Sequence, residues 1–302
     1  MKPIRRILVP TDFVSSSRRA IEYGVSLANR LGASLTVAHV VEYPTALSYV
    51  FPLATFVLEE HHTEEVEEKL RELIPVPTRH ELDYRFVVKA GHVADEILDL
   101  VQEEEADLIV MGTHGRRQMA KWLLGSVAER MLRQVPVPLV TLSHSGDSAD
   151  MDRLPHKHIR RILYATDLSE GSGQGLRFAD DLRSAYGAEL LVVHVLSPLR
   201  WDYPSHHVPL DVRHEHQRLR TDLSTMLEQS IPEGLRKDAA VSWHLGDGLP
   251  WKVILELADN RGSDLIVVNI RARARAERAL LGTTAERIVR GAECPVLSIP
   301  LS

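Results

Sequence analysis

A lone cysteine, Cys294, excludes any disulfide within the 302-residue chain and fits a reducing compartment. It stands ahead of Pro295 and the apolar run Val296-Leu297-Ser298-Ile299, so it reads as a small packing residue rather than a nucleophile. Long apolar runs are missing too. None approaches the ~18 residues that a transmembrane helix needs. The basic start leads into an apolar stretch too short for a signal peptide, and Asp12 interrupts it. A cytoplasmic protein without membrane contact is therefore expected. No Gly-Lys pair occurs, which removes a Walker-type phosphate loop. An excess of positive charge is absent: the net charge is −6, against a general nucleic-acid binder. The histidines His61-His62, His206-His207, His214 and His216 lack the spacing a zinc site favours, so no metal centre is expected.

What is present is a repeat. Arg5-Arg6-Ile7-Leu8-Val9-Pro10-Thr11-Asp12 returns as Arg160-Arg161-Ile162-Leu163-Tyr164-Ala165-Thr166-Asp167, an offset of 155 (167 − 12). The same offset pairs Gly32 with Gly187, His39 with His194 and Gly91 with Gly246. Further along it becomes 157, pairing Asp107 with Asp264, Gly125 with Gly282 and Pro138 with Pro295. Two residues are thus inserted in the second copy, near Gly248 to Pro250. Each copy is large enough for its own core. The expected division is 1–143, a polar linker over 144–157, and 158–302.

Within the first copy, short apolar runs alternate with amphipathic stretches. Ile7–Val9, Leu35–Val41, Tyr84–Val88, Leu108–Met111 and Val137–Leu142 read as strands. Pro138 marks the last of these as an edge strand or a strand start. Ser15–Leu31, Glu59–Ile74, Val93–Glu105 and Ser126–Gln134 read as helices, with Gly32 ending the first. Alternation of this kind implies an α/β fold: two tandem doubly wound domains, each with a five-stranded parallel sheet. Ligands of such sheets bind beyond the carboxyl ends of the strands, where strand order reverses.

Those strand ends carry the chemistry. After the fourth strand the chain reads Met111-Gly112-Thr113-His114-Gly115, nine residues, then Gly125-Ser126. Glycines permit positive φ and close approach of backbone amides. A helix opening at Ser126 attracts anions, and Arg116, Arg117 and Lys121 add positive charge. Ser126 and Glu129 also fit a capping box, as do Thr283 and Glu286. After the first strand, Pro10-Thr11-Asp12 places a carboxylate able to accept from an adenine amino group or a ribose hydroxyl. Asp12 serves equally as a turn or cap residue. After the second strand, the backbone of Val40 can line an adenine slot. His39 and His194 read as buried, hydrogen-bonded residues.

On the Ile7–Asp12 segment, Ala38-His39-Val40, Gly91 and the Gly112/Gly115/Gly125-Ser126 spacing, the chain resembles the universal stress protein family in its tandem form. The resemblance implies ATP as ligand, with room for Mg beside it. Asp12 and Val40, with Pro10 and Thr11 alongside, would hold the adenosine part. Met111 and Gly112 would follow the ribose. Gly115, Gly125, Ser126 and Val127, with His114 in the same loop, would follow the phosphates. It further implies that the two domains pair through their last strands about a pseudo-twofold axis, and it leaves room for a homodimer. Family members mostly act in stress survival as sensors or regulators. No catalytic residue is assigned. Slow ATP hydrolysis using His114 as base, and a nucleotide-independent partner-binding role, remain the alternatives.

The second copy departs from this pattern. Gly112 becomes Asn269, Gly115 becomes Ala272 and Pro10 becomes Ala165, although Asp167 and Gly282 remain. A Cβ at two glycine positions is expected to restrict the backbone and crowd a polyphosphate. ATP is therefore expected in the first copy alone. The segment Gly171-Ser172-Gly173-Gln174-Gly175 lacks dinucleotide-fingerprint spacing and reads as a flexible loop.

Overall fold

The computed structural model describes residues 3–42, 66, 68–74, 82–113, 124–143, 158–197, 210–271 and 283–301. The first half contains β1 (Arg6–Thr11), α1 (Ser15–Leu31), β2 (Ser34–Val41), β3 (Tyr84–Ala90), α2 (Val93–Glu103), β4 (Leu108–Gly112), α3 (Ser126–Gln134) and β5 (Leu139–Leu142). Residues 66 and 68–73 are helical as well and residue 74 lies in a bend; residues 59–65 and 67 of the expected 59–74 helix lie outside the described residues, as do the 144–157 linker, His61, His62, His206 and His207. The second half contains β6 (Arg161–Ala165), α4 (Ser172–Tyr186), β7 (Glu189–Leu196), α5 (Leu210–Ser230), α6 (Glu233–Arg236), β8 (Val241–Asp247), α7 (Pro250–Arg261), β9 (Leu265–Arg271), α8 (Thr283–Gly291) and β10 (Val296–Leu301).

Among the described residues ten strands form one sheet in the order β3-β2-β1-β4-β5-β10-β9-β6-β7-β8. Every pairing is parallel except β5 with β10, which is antiparallel and joins the halves. Leu297 faces Val140 at this seam, and the two are the same repeat position (297 − 157 = 140), so a pseudo-twofold passes between them. Helices cover both faces. Ile7, Val9, Val37, Ile162 and Tyr164 pack towards α1, α4 and α5. Leu8, Ala38, Ile109, Leu163 and Ile266 pack towards α2, α3, α7 and α8. Burial on both faces is why these strands read as continuous apolar runs rather than alternating ones.

The repeat is legible in its hydrogen bonds. Asp107 Oδ2 accepts from the Arg5 and Arg6 amides at 2.9 and 3.1 Å, and Asp264 Oδ2 accepts from Arg160 and Arg161 at 2.7 and 2.9 Å. Gly32 (φ 64) and Gly187 (φ 67) close α1 and α4 in the left-handed region, where a Cβ is unfavourable.

The inserted residues lie earlier than the sequence pattern suggests. Leu35 pairs with Tyr84 and Leu190 with Val241, so the offset is already 157 at β8 (241 − 84). The counterpart of Gly91 is therefore Gly248, not Gly246. Both have positive φ, 156 and 129, and both donate their N–H to the end of the neighbouring strand at 3.0 Å. The two readings of Pro138 separate: β5 is an inner strand between β4 and β10, so it is no edge, and Pro138 stands just before its start, as the other reading has it. One further expectation changes. The Gly171–Gly175 segment is not a loop: Gly173 and Gly175 lie inside α4, and Gly175 is required there because a Cβ would come within 2.7 Å of the Tyr164 ring.

Candidate functional site

Strand order reverses between β1 and β4, since β2 leads away on one side and β5 on the other. Pro10, Thr11, Asp12, Val40, Met111 and Gly112 all lie at the carboxyl ends of β1, β2 and β4. Gly125, Ser126 and Val127 join them, because the Gly125 N–H donates to the Thr113 carbonyl at 2.8 Å and brings the start of α3 back to the end of β4. Thr113, overlooked in the motif, is buried and anchored twice to the Leu142 carbonyl, through its amide at 3.0 Å and its hydroxyl at 3.1 Å. His114 and Gly115 fall outside the described residues.

The turn after β1 is built identically in both halves. Thr11 Oγ1 accepts from the Phe13 amide at 3.1 Å, and Thr166 Oγ1 accepts from Leu168 at 3.1 Å. Phe13 and Leu168 sit at φ 66 and 58, a left-handed conformation unusual for side chains of that size. Nothing in the sequence marks it, since neither residue is glycine, asparagine or aspartate. Histidine braces the turn from β2 and β7. His39 Nδ1 donates to the Thr11 carbonyl at 2.7 Å and His194 Nδ1 to the Thr166 carbonyl at 2.9 Å. A carbonyl only accepts, so Nδ1 carries the proton in each. The His39 ring also lies 4.6 Å from that of Phe13. Asp12 does act as a turn residue, its Oδ1 accepting from the Val14 amide at 3.3 Å. Asp167 Oδ1 is held more tightly, by the Ser169 amide at 3.0 Å and hydroxyl at 2.6 Å.

Pro10 makes the halves differ. The Arg6 carbonyl accepts from Asp107 beside β4, whereas the Arg5 carbonyl accepts from Ser34 beside β2. Alternation along the strand then turns Pro10 towards β4. Having no N–H, it cannot extend that ladder. The β1–β4 pairing accordingly stops at Leu8 with Ile109, while β6–β9 continues to Ala165 with Val268. The pattern leaves the Val110 carbonyl without the strand donor that Ala165 supplies to its counterpart.

Two glycine and capping expectations are corrected. Gly112 ends an extended strand and is not among the glycines of positive φ. Gly125 is also extended, at φ −63 and ψ 147, and is itself the N-cap of α3. Neither needs left-handed freedom. Ser126 is the first helical residue, exposed, and among the described residues no side chain caps the helix. Glu129 does not return to the helix start but pairs with Arg133, as Glu286 does with Arg290, the i,i+4 partner being nearer than the cap. Likewise Asn269 lies within β9, so its Cβ imposes no backbone strain.

What decides the relationship is the double match across this arrangement: the universal stress protein family model fits residues 3–143 and again 158–300. The chain belongs to the universal stress protein family. A universal stress protein of Mycobacterium tuberculosis is 27% identical over 294 residues, spanning 93% of this chain and 94% of its own. A universal stress protein of Methanocaldococcus jannaschii is 27% identical over 138 residues, 46% of this chain and 81% of that protein. The crystal structure of a universal stress protein from Archaeoglobus fulgidus superposes with a TM-score of 0.68 at 22% identity, covering 98% of each chain; it shares the fold through both halves. The chain is therefore a tandem universal stress protein, from a family of stress-response proteins.

Among the described residues no group of histidine, cysteine, aspartate or glutamate could hold a metal ion, and no helix is long and apolar enough to cross a membrane. His216 instead lies 3.8 Å from Asp247, which also pairs with Arg220. Cys294 is partly buried against the core cluster on the α7/α8 face, and burial pushes its thiol pKa up to about 12.

Proposed function

We propose that this universal stress protein binds ATP at the β1/β4 switch point of its first half and acts as a regulator or sensor in stress response rather than as an efficient enzyme. The observation that carries this reading is the junction of β4 and α3. Thr113 and Gly125 are hydrogen-bonded to one another, so the two residues that flank the glycine-containing stretch meet at one point. That point lies beside Asp12 and beside an α3 N-terminus that no side chain among the described residues caps. Uncapped helical amides and the helix dipole favour phosphate oxygens. The carboxylate at the neighbouring strand end suits the hydroxyls or amino group of a nucleoside. The backbone of Val40 closes the same strand-end row.

In this reading Asp12 and Val40 take the adenosine, Met111 and Gly112 lie along the ribose, and Gly115, Gly125, Ser126 and Val127 take the phosphates. Mg, where it accompanies ATP, would be carried by the phosphates. The nucleotide is placed in the first half because the second carries Ala272 and Asn269 in place of Gly115 and Gly112, and Ala165 in place of the ladder-ending Pro10.

Equilibrium dialysis with labelled ATP tests the reading. One nucleotide per chain is expected, and Gly115→Ala with Gly125→Ala should remove it. No retention at millimolar ATP would end the proposal. A turnover assay comparing wild type with His114→Ala addresses hydrolysis; equal, slow rates would take His114 out of any mechanism.

A further inference from the structure

We propose that Gly112 is a positioning residue: its missing Cβ admits the first turn of α1 against the end of β4, and this packing, rather than the place of its backbone along the ribose, is what ties its identity to nucleotide binding. This rests on the ATP reading above. The usual reason for glycine beside a phosphate, freedom to adopt positive φ, does not apply, since Gly112 is ordinary extended strand. The steric reason is on the other side. A Cβ on Gly112 would stand 3.0 Å from Ser16 Cβ and 3.1 Å from the Ser16 carbonyl carbon and oxygen. Backbone inside a helix has little room to yield.

The second half contains the alternative solution to the same contact. Position 112 is Asn269, and the residue matching Ser16 is Gly171 (16 + 155). α1 starts at Ser15, but α4 starts at Ser172, two residues later than its repeat partner would (15 + 155 = 170). Both helices stop at the matching glycine, so the difference lies wholly at the start. The Arg18 amide closes a full turn on the Val14 carbonyl at 3.1 Å. At the matching place Gly171 is the N-cap of its helix, and the atoms nearest to where its Cβ would stand belong to Leu301. The Asn269 side chain lies instead against Gly175 and Tyr164. Its Nδ2 donates to the Tyr164 hydroxyl at 2.9 Å, which in turn donates to the Ser172 carbonyl at 2.5 Å. Gly175, matching Ala20, has no Cβ because one would collide with the Asn269 amide. Glycine with Ala20, and asparagine with Gly175, are thus matched pairs, and Ser16 is the residue that a side chain at position 112 of the first half meets.

The start of α1 bears directly on the candidate site. Ser17 Oγ lies 2.9 Å from Thr11 Oγ1 and donates to the Val14 carbonyl at 2.9 Å. Val14, the N-cap, donates to Asp12. Displacing the first turn therefore displaces the Thr11-Asp12 strand end.

Calorimetric titration of the full chain with ATP, paired with thermal melting, tests this. Gly112→Asn is expected to weaken ATP at least tenfold and to lower the melting temperature. Adding Ser16→Gly and Ala20→Gly should recover most of the lost affinity and raise the melting temperature above that of Gly112→Asn alone. The same two glycines should not rescue Asp12→Ala, whose carboxylate is placed in direct contact. Retained affinity in Gly112→Asn, or a loss that the two glycines leave unchanged, overturns the proposal. Should Gly112→Asn fail to fold, Gly112→Ala with Ser16→Gly replaces it, since one methyl meets the same atoms. If the wild-type chain binds no ATP, the nucleotide reading fails, and the positioning role at that site falls with it. The melting temperatures still separately judge the packing claim.

Discussion

Val9 and Tyr164 hold the same repeat position and face the same helix layer, yet they solve different problems. Val9 fills the space over Gly24, where a Cβ would come within 2.7 Å of Val9 Cγ2. Tyr164 carries a buried hydroxyl that must be hydrogen-bonded, and Ser172 and Asn269 satisfy it. Tyr164→Phe leaves the Ser172 carbonyl and Asn269 amide without that partner, and should cost about 1–2 kcal/mol, read from urea unfolding. The reciprocal test of the strand ladder is Ala165→Pro. It removes a donor that Pro10 already lacks in the first half, and should destabilise by about 2 kcal/mol in the same measurement. Cys294 offers a third check. Cys294 is partly covered, and a thiol held near 12 by burial is not ionised at pH 8. A thiol-specific disulfide reagent should react with it far more slowly in the native protein than in denaturant, where one thiol titrates at once.

At the scale of elements, strands and helices were legible because burial on two faces and amphipathic spacing write directly into the residue pattern. Gly32 and Gly187 were legible as helix ends because left-handed closure tolerates little else. Gly187→Ala should cost about 1 kcal/mol, visible as a lower midpoint in urea unfolding. Other glycines were misread where sequence pattern does not distinguish the need for positive φ from the need for an absent Cβ. Gly112, Gly173 and Gly175 resemble flexible points in the sequence, but the first is strand and the others helix. Gly112 and Gly175 answer to neighbours over 90 residues away, Ser16 and Asn269. The capping box failed for a similar reason: Ser126 and Glu129 have the right spacing, but the helix begins one residue earlier than the pattern assumes, at a Gly125 cap. The candidate site was legible as a set of strand ends, because parallel topology alone puts Asp12, Val40 and Gly112 together. The brace of His39 on Thr11 and the left-handed Phe13 were not, since they depend on how the turn closes in three dimensions.

The whole molecule is held as one sheet, and its seam is reinforced away from the strands. Arg30, in α1, donates to the Ala185 carbonyl at 2.6 Å at the end of α4 and stacks over Tyr186 at 5.2 Å. Arg30 and Ala185 are the same repeat position (30 + 155 = 185), so this contact straddles the pseudo-twofold but has arginine on one side only. Arg30→Ala should lower stability by about 1 kcal/mol, again measured by chemical unfolding. The global response to alkali follows from burial. Tyr164 and Tyr186 are raised from 10.0 to about 12, and Cys294 from 9.0 to about 12, each chiefly by desolvation. Above pH 9 the unfolded chain releases these protons first and binds fewer than the folded one, so stability falls as pH rises towards 12. A melting-temperature series over that range checks the sign. The antiparallel seam has one more consequence. Because strands of the two halves run in opposite senses, the carboxyl ends of β1 and β4 emerge along one rim of the sheet and those of β6 and β9 along the other. Each rim therefore sets the strand-to-helix loops of one half beside the helix-to-strand loops of the other, and the two candidate strand-end sites open in opposite directions.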